Sequence, residues 1–167
     1  MISSVPKWPK RARAALWALL LLTTISETTA LAFYTLRIGH DHEQAYFQGT
    51  AEDDESDVIF YPKSLMELLE VAHPHSFGFV MFCGLLLFIA TAFPVFEKWY
   101  LVWATTFTCS VVAFMALPFL IRFVSASLSG GYGICGALIS AHVYAFIGAG
   151  IWSLTRPKQT ESSGSTS

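Results

Sequence analysis

Four long apolar runs alternate with polar segments along the chain, at residues 14–37, 75–93, 99–121 and 134–154. A helix needs roughly 20 mostly apolar residues, at about 1.5 Å rise per residue, to cross the hydrocarbon core of a bilayer. Each run has about this length. The pattern therefore predicts an all-α, integral membrane four-helix bundle.

The segments that flank these runs are polar. Residues 1–13 are a basic N-terminus, residues 38–63 an acidic outer loop with the run AEDDESD, and residues 155–167 a tail of small polar residues. The tail lacks hydrophobic periodicity, which is typical of a disordered segment. The stretch SASLSGGYG predicts a short flexible turn between the third and fourth spans.

The second span is expected to begin before its apolar run. Ser64 followed three residues later by Glu67 is the pattern of a capping box, in which each side chain accepts from the other residue's backbone N–H. A helix should therefore begin near Leu65. We expect an interfacial helix that continues into the second span, as one segment 64–93, with a kink at Pro74.

The distribution of basic residues predicts the orientation. Lys and Arg near span ends remain on the cytoplasmic side, and an N-terminus inside places seven of the ten there, leaving Arg37, Lys63 and Arg122 outside. Both termini are then cytoplasmic. With 54% hydrophobic residues, the chain is expected to be a multi-pass protein of a bacterial inner (plasma) membrane, surrounded by lipid. It shows no basic patch for nucleic acid.

The first span also has the features of a signal peptide. KWPKRARA precedes an apolar run, and TTALA offers small residues for cleavage after Ala32. Cleavage would remove Glu27. The alternative is a retained helix, because the apolar character continues through LAFYTL and makes the segment long enough to span.

Ionisable side chains inside the spans are the first place to look for function, because they are costly in a bilayer. Glu27, His75 and His142 each lie roughly 12 to 15 Å along their helices from the predicted outer ends. His73 and His75 are two residues apart and point about 200° from each other. We expect His75 to face inward, beside Gly78, Phe79 and Phe82, and His73 to lie at the interface; both could instead be interface residues.

His142 lies well inside an apolar helix, where something has to satisfy its ring nitrogens. One interpretation is a hydrogen bond to a neighbouring helix. The other makes His75 and His142 the axial ligands of one b-type haem, bound to the iron from opposite sides. Arg122, or Lys63, could then pair with the propionates, although both could simply extend to the interface. Glu27 could then accept a hydrogen bond from the free ring N–H of a ligand histidine, or act as a proton-carrying acid in its own right. Nearby hydroxyls could also satisfy it without either role.

Two further sets of metal-binding residue types occur. His40, Asp41, His42 and Glu43, in HDHE, could collect a divalent ion, although a solvated polar loop is the simpler explanation. The three cysteines have no paired spacing, and the chain has no C-x-x-C-H motif, which excludes covalent haem and a zinc ribbon. They are expected to fill space as small apolar side chains: Cys83, Cys109 and Cys135.

Four helices, intramembrane histidines and little mass outside the bilayer resemble small inner-membrane b-type cytochromes and the haem-bearing anchor subunits of respiratory complexes. This resemblance implies a membrane electron-transfer subunit with one haem b between the second and fourth helices. The electrons would pass between a quinone or a cytochrome and an outer partner. As an enzyme, the chain would be at most the redox subunit of an oxidoreductase complex.

Two alternatives remain open at the level of the sequence. In the first, the chain is a cofactor-free structural or assembly subunit, and the small residues Ala137, Ala141, Ala145 and Ala149 form a face for another helix. In the second, Glu27, His75 and His142 form an intramembrane metal site or part of a transporter.

Overall fold

The computed structural model describes residues 4–38, 42–50 and 59–156. Within these ranges it contains α-helices and short 3₁₀ or π turns and no strand. The α-helices are α1 (Lys10–Phe33, continued by a π turn Tyr34–Ile38), α2 (Glu43–Gln48), α3 (Leu65–Ala90), α4 (Tyr100–Phe123) and α5 (Ser129–Thr155). All except α2 are long and apolar enough to cross a membrane. The predicted all-α, four-helix membrane architecture is confirmed.

The start of α3 follows the capping prediction. The Ser64 hydroxyl accepts from the backbone N–H of Glu67 at 3.2 Å, and the Glu67 carboxylate accepts from the N–H of Ser64 at 2.7 Å. The helix begins at Leu65 and runs through Pro74 to Ala90 without a break. The polar lead-in and the second span are therefore one element.

The predicted turn before the last span is wrong over most of its length. Ser125 caps a short 3₁₀ turn by accepting from the N–H of Ser127, and α5 begins at Ser129 rather than near residue 134. Glycine is unfavourable inside a helix, but packing can override that preference. Gly131, for example, lies against Leu117 of α4, where an added methyl group would be 3.5 Å from that side chain.

The spanning helices pack in the order α1, α5, α4, α3. α5 contacts both α1 and α4, and α3 packs on α4. The backbone N–H of Val5 meets the carbonyl of Ala92, and the Arg13 guanidinium donates to the carbonyl of Leu154 at 2.6 Å. Both described ends of the chain thus lie at one end of the bundle. We call it the inner end, following the predicted orientation, and the opposite end the outer end.

The inner half of the bundle is closed by large apolar side chains. Phe93, Phe107, Phe146 and Leu86 are almost completely buried and belong to one hydrophobic cluster, which also includes Leu20 of α1. These packed apolar side chains exclude water from the inner end of the bundle.

In the outer half, positions of α1 and α3 that continue buried helix faces are exposed. On α3, Leu68, His75, Phe79 and Leu86 share one helix face by their spacing; Leu68 and Leu86 are buried, but His75 is exposed. On α1, Leu20 is buried, whereas Leu31, on the same face nearer the outer end, is 45% exposed. We call the outer parts of these two faces, with Glu27, Leu31, His75 and Phe79, the outer cleft.

The predicted alanine face of α5 does not bring another helix of the chain close. Ala137, Ala141 and Ala145 are exposed, and Ala149 is buried. A four-residue repeat drifts about 40° per step around a helix of 3.6 residues per turn, so the four alanines do not share one face. Close approach occurs at Gly150, where an added methyl group would lie 2.8 Å from a methyl carbon of Leu20 on α1.

This contact predicts different costs for two neighbouring glycines. Gly150→Leu should overpack the contact with Leu20 and destabilise the bundle by about 1–3 kcal/mol, whereas Gly148→Leu extends into open space. Thermal unfolding of the purified chain in detergent measures the difference. Equal midpoints for the two variants would contradict the α1–α5 packing.

Candidate functional site

His142 is held against α4 by hydrogen bonds and stacking. Its Nδ1–H donates to the carbonyl of Leu138 at 2.6 Å, and Nε2 shares a hydrogen bond of 2.8 Å with the hydroxyl of Thr106. The ring stacks on Phe107, with centroids 5.5 Å apart, and lies 6.0 Å from the ring of Trp103. Both ring nitrogens are therefore satisfied within the chain, as the structural interpretation of this residue expects.

His75 lies on the bundle side of α3, at the border of the outer cleft. Its Nδ1–H donates to the carbonyl of Val71 at 2.7 Å, and its ring is 6.5 Å from that of Phe79. His73 is also exposed, and its position in the helix turns it away from the face that carries His75. Among the described residues, neither histidine contacts His142.

The two predicted haem ligands lie at different depths. Phe79 of α3 meets Phe114 of α4, with ring centroids 6.2 Å apart, and Phe114 in turn lies against Gly136 of α5. His75 is one turn outward of Phe79, and His142 is six residues inward of Gly136. At 1.5 Å per residue the two imidazoles are separated by about 15 Å along the bundle.

This geometry does not fit one haem held between α3 and α5. Axial ligands bind one iron from opposite faces, so they have to lie at one depth, and α3 packs on α4 rather than on α5. Haem b stays a prediction from the sequence pattern, without a ligand pair in the described part of the chain.

The two predicted partners of the haem propionates hold the outer end of the bundle together. The Arg122 Nε–H donates to the backbone carbonyl of Lys63 at 2.7 Å. The Lys63 ammonium lies over the ring of Tyr46, 5.1 Å from its centroid, in a cation–π contact. These contacts join the end of α4 to the segment before α3.

Glu27 meets α5 on a different side from His142. Its carboxylate accepts a hydrogen bond from the hydroxyl of Ser140. Residues 140 and 142 point about 200° apart on one helix, so Glu27 and His142 are on opposite flanks of α5. No group of three or more His, Cys, Asp or Glu side chains in the described ranges could hold a metal ion. The predicted set Glu27, His75 and His142 is therefore not assembled.

The histidine pair after α1 is described only in part. His40 lies outside the described residues. His42 directly precedes α2, with its ring 6.3 Å from that of Phe60. The next residue, Glu43, is only 4% exposed.

Glu43 belongs to a polar cluster that the sequence did not predict. Tyr34, in the π turn after α1, donates its hydroxyl hydrogen to the Glu43 carboxylate. Both groups lie over Gly133 of α5, where an added methyl group would collide with them, at 2.8 Å from the Tyr34 oxygen. The absent side chain of Gly133 thus makes room for a buried carboxyl group.

α2 closes the outer end of the bundle above this cluster. The Gln48 side chain donates to the carbonyl of Ile121 at 2.8 Å, and the N–H of Lys63 donates to the carbonyl of Phe47 at 3.1 Å. Phe47 is buried and lies 5.2 Å from the ring of Tyr132. The sequence does contain a signal for this cap. Tyr46 and Phe47 are aromatic residues in an otherwise polar loop, and they follow Glu43 by three and four residues, the spacing of one helix face.

Among the described residues, two carboxyl groups contact α5, and each accepts from a hydroxyl donor. A hydroxyl can both donate to a carboxylate and offer its own oxygen as an acceptor.

Cys83 is buried, Cys135 half-buried and Cys109 exposed, and all three are free thiols.

The Tyr34–Glu43 bond predicts a stability effect. Tyr34→Phe removes one donor from a buried carboxyl group, which should cost about 1–3 kcal/mol. The matched control is Tyr61→Phe, because Tyr61 is largely exposed. Thermal unfolding in detergent compares them, and an equally stable pair would show that the hydrogen bond contributes nothing.

Comparison with known proteins gives a match for most of the chain. The model of a family described as a transmembrane helical domain matches residues 38–161, which include α2, α3, α4 and α5. No curated protein and no solved structure matches the chain. The match covers well over half of the 167 residues, and the chain belongs to this family of transmembrane helical domains.

Proposed function

We propose that the chain is a cofactor-free subunit of a larger membrane complex, and that a transmembrane helix of a partner chain occupies the outer cleft. The predicted orientation puts this cleft on the outer side of a bacterial inner membrane. The proposal follows the structural alternative of the sequence rather than the redox one. Its support is the exposure of core-side positions on α1 and α3, rather than a cofactor site.

The observation that carries the proposal is the exposure of side chains that face the bundle. Leu31 and His75 occupy the same helix faces as buried residues nearer the inner end, Leu20 and Leu86. A bundle closed over its full length would bury all four. A fifth helix lying between the outer halves of α1 and α3 would cover both exposed positions.

The polar groups of the cleft give a reason for a protein partner rather than lipid alone. Within the described residues, the one hydrogen bond of His75 is that from its Nδ1 to Val71. Nε2 thus has no protein partner, and an unsatisfied polar group is costly in hydrocarbon. A side chain on a partner helix can satisfy it, since hydrogen bonds between helices in membranes contribute about 1–2 kcal/mol in model peptides.

The redox interpretation lacks comparable support in the geometry. It requires two imidazoles at one depth, but His142 is engaged with Thr106 on α4 and lies about 15 Å from the level of His75. Electron transfer would then need a cofactor bound elsewhere.

Site-specific photo-cross-linking in native membranes tests the occupant of the cleft. A photoreactive amino acid at Leu31 should give a defined adduct with one membrane protein, whereas at Leu22, exposed on the same helix, it should react with lipid. Leu31→Trp should abolish co-purification of that protein, and Leu22→Trp should not. Identical products from the two positions would contradict the proposal.

Replacing the central histidine separates the structural interpretation from the haem one. His142→Gln keeps a group that can hydrogen-bond to Thr106, so co-purification with the partner should be unchanged. The purified complex is also examined by absorption spectroscopy and pyridine haemochrome analysis. A b-type spectrum that disappears in both His75→Ala and His142→Ala would overturn the cofactor-free proposal.

A further inference from the structure

Thr23 is an unusual hydroxyl in the middle of α1. Its neighbours Thr24, Thr28 and Thr29 each donate to the backbone carbonyl four residues earlier, at 2.8 Å. The Thr23 hydroxyl makes no such bond: it is buried, with the residue 2% exposed, and has no hydrogen-bond partner in the described structure. A buried polar atom without a partner costs free energy unless something binds it.

Glu27 lies one turn after Thr23 on the same face of α1. Side chains four residues apart on a helix have Cβ atoms about 5–6 Å apart, so the Thr23 hydroxyl and the Glu27 carboxylate can share a small ligand. Ser140 approaches the same carboxylate from α5. The unpartnered Thr23 hydroxyl is thus one helical turn from a carboxylate that Ser140 contacts at the interface of α1 and α5.

We infer that Thr23, Glu27 and Ser140 form a binding site for one hard monovalent cation of the sodium class. Carboxylate and hydroxyl oxygens suit hard cations, whereas zinc and copper prefer nitrogen and sulfur ligands. The single carboxylate neutralises one positive charge. A divalent ion would leave an uncompensated charge in an apolar surrounding, which is unfavourable.

The burial of the neighbouring side chains indicates from which side the ion reaches this site. Glu27 is half-buried, while Leu16 and Leu20, on the inward side of Thr23, are buried in the hydrophobic cluster of the inner half. The ion therefore enters and leaves on the outer side. The site binds an ion without conducting it through the bundle.

The helices next to Glu27 place few other charged or titratable side chains near it. α5 contains no Asp, Glu, Lys or Arg; its titratable side chains are His142, on the opposite flank, Tyr132 and Tyr144, and Cys135. Across the cleft, α3 carries His75 nearer the outer end, with Glu67, Glu70 and His73 beyond it, and Cys83 in the inner cluster. The described neighbour of the Glu27 carboxylate is thus the Ser140 hydroxyl.

Carbodiimide labelling of the purified full chain in lipid nanodiscs tests the site. A hydrophobic carbodiimide reacts with a protonated carboxyl group within a membrane, so it should modify Glu27 in mildly acidic buffer without sodium. Na⁺ should slow this reaction, whereas choline at the same ionic strength should not. Peptide mass spectrometry reads Glu27 separately from Glu43, which serves as the internal reference.

Three variants test which side chains bind the cation. Thr23→Val keeps the shape of the side chain but removes an oxygen, and it should raise the Na⁺ concentration needed for half-protection about tenfold. Thr23→Ser should retain protection, as should the control Thr28→Val. Equal labelling with Na⁺ and choline would overturn the inference, because Glu27 would then be a carboxyl group without a bound cation. Full protection by Na⁺ in Thr23→Val would also overturn it. These readouts involve no partner protein and are independent of the proposed function.

Discussion

The packing of two helices on different sides of α5 is the constraint on which the rest of the structure depends. α1 approaches closely at Gly150, and α4 approaches at Gly131 and Gly136. In the inner half, side chains of α1 and α3 belong to one hydrophobic cluster. The separation of the polar groups is a consequence of the packing on α5, since Ser140 meets α1 and His142 meets α4.

The architecture could be predicted from the sequence because it depends on length and periodicity. The start of α3 was also predictable, since the Ser64–Glu67 capping box is local and needs no tertiary contact. The depth of His142 could not be predicted. The count of residues from the outer helix end assumed that the helix begins near residue 134, but α5 begins at Ser129. The offset of α5 along α4 is set by which side chains interlock.

The sequence indicated which polar residues to consider, but not which groups they contact. Glu27, His75 and His142 were identified because ionisable side chains are rare in apolar spans. The partners of Glu27 and His142 on other helices, Ser140 and Thr106, depend on the rotation of each helix, whereas His75 bonds to a carbonyl of its own helix. Glu43 was considered only as one of four adjacent loop residues, because nothing local indicates that Gly133, ninety positions later, leaves room for a buried carboxyl group.

The contact of Arg13 with the Leu154 carbonyl joins the first span to the last. A chain synthesised from its N-terminus makes α1 long before α5 leaves the ribosome. Until then α1 stays in the bilayer without its main packing partner, and Thr23, Glu27 and Ser140 cannot meet. If a signal peptidase cleaves after Ala32, this interval is its opportunity. Retention of the first span would then depend on how soon α5 is inserted beside it.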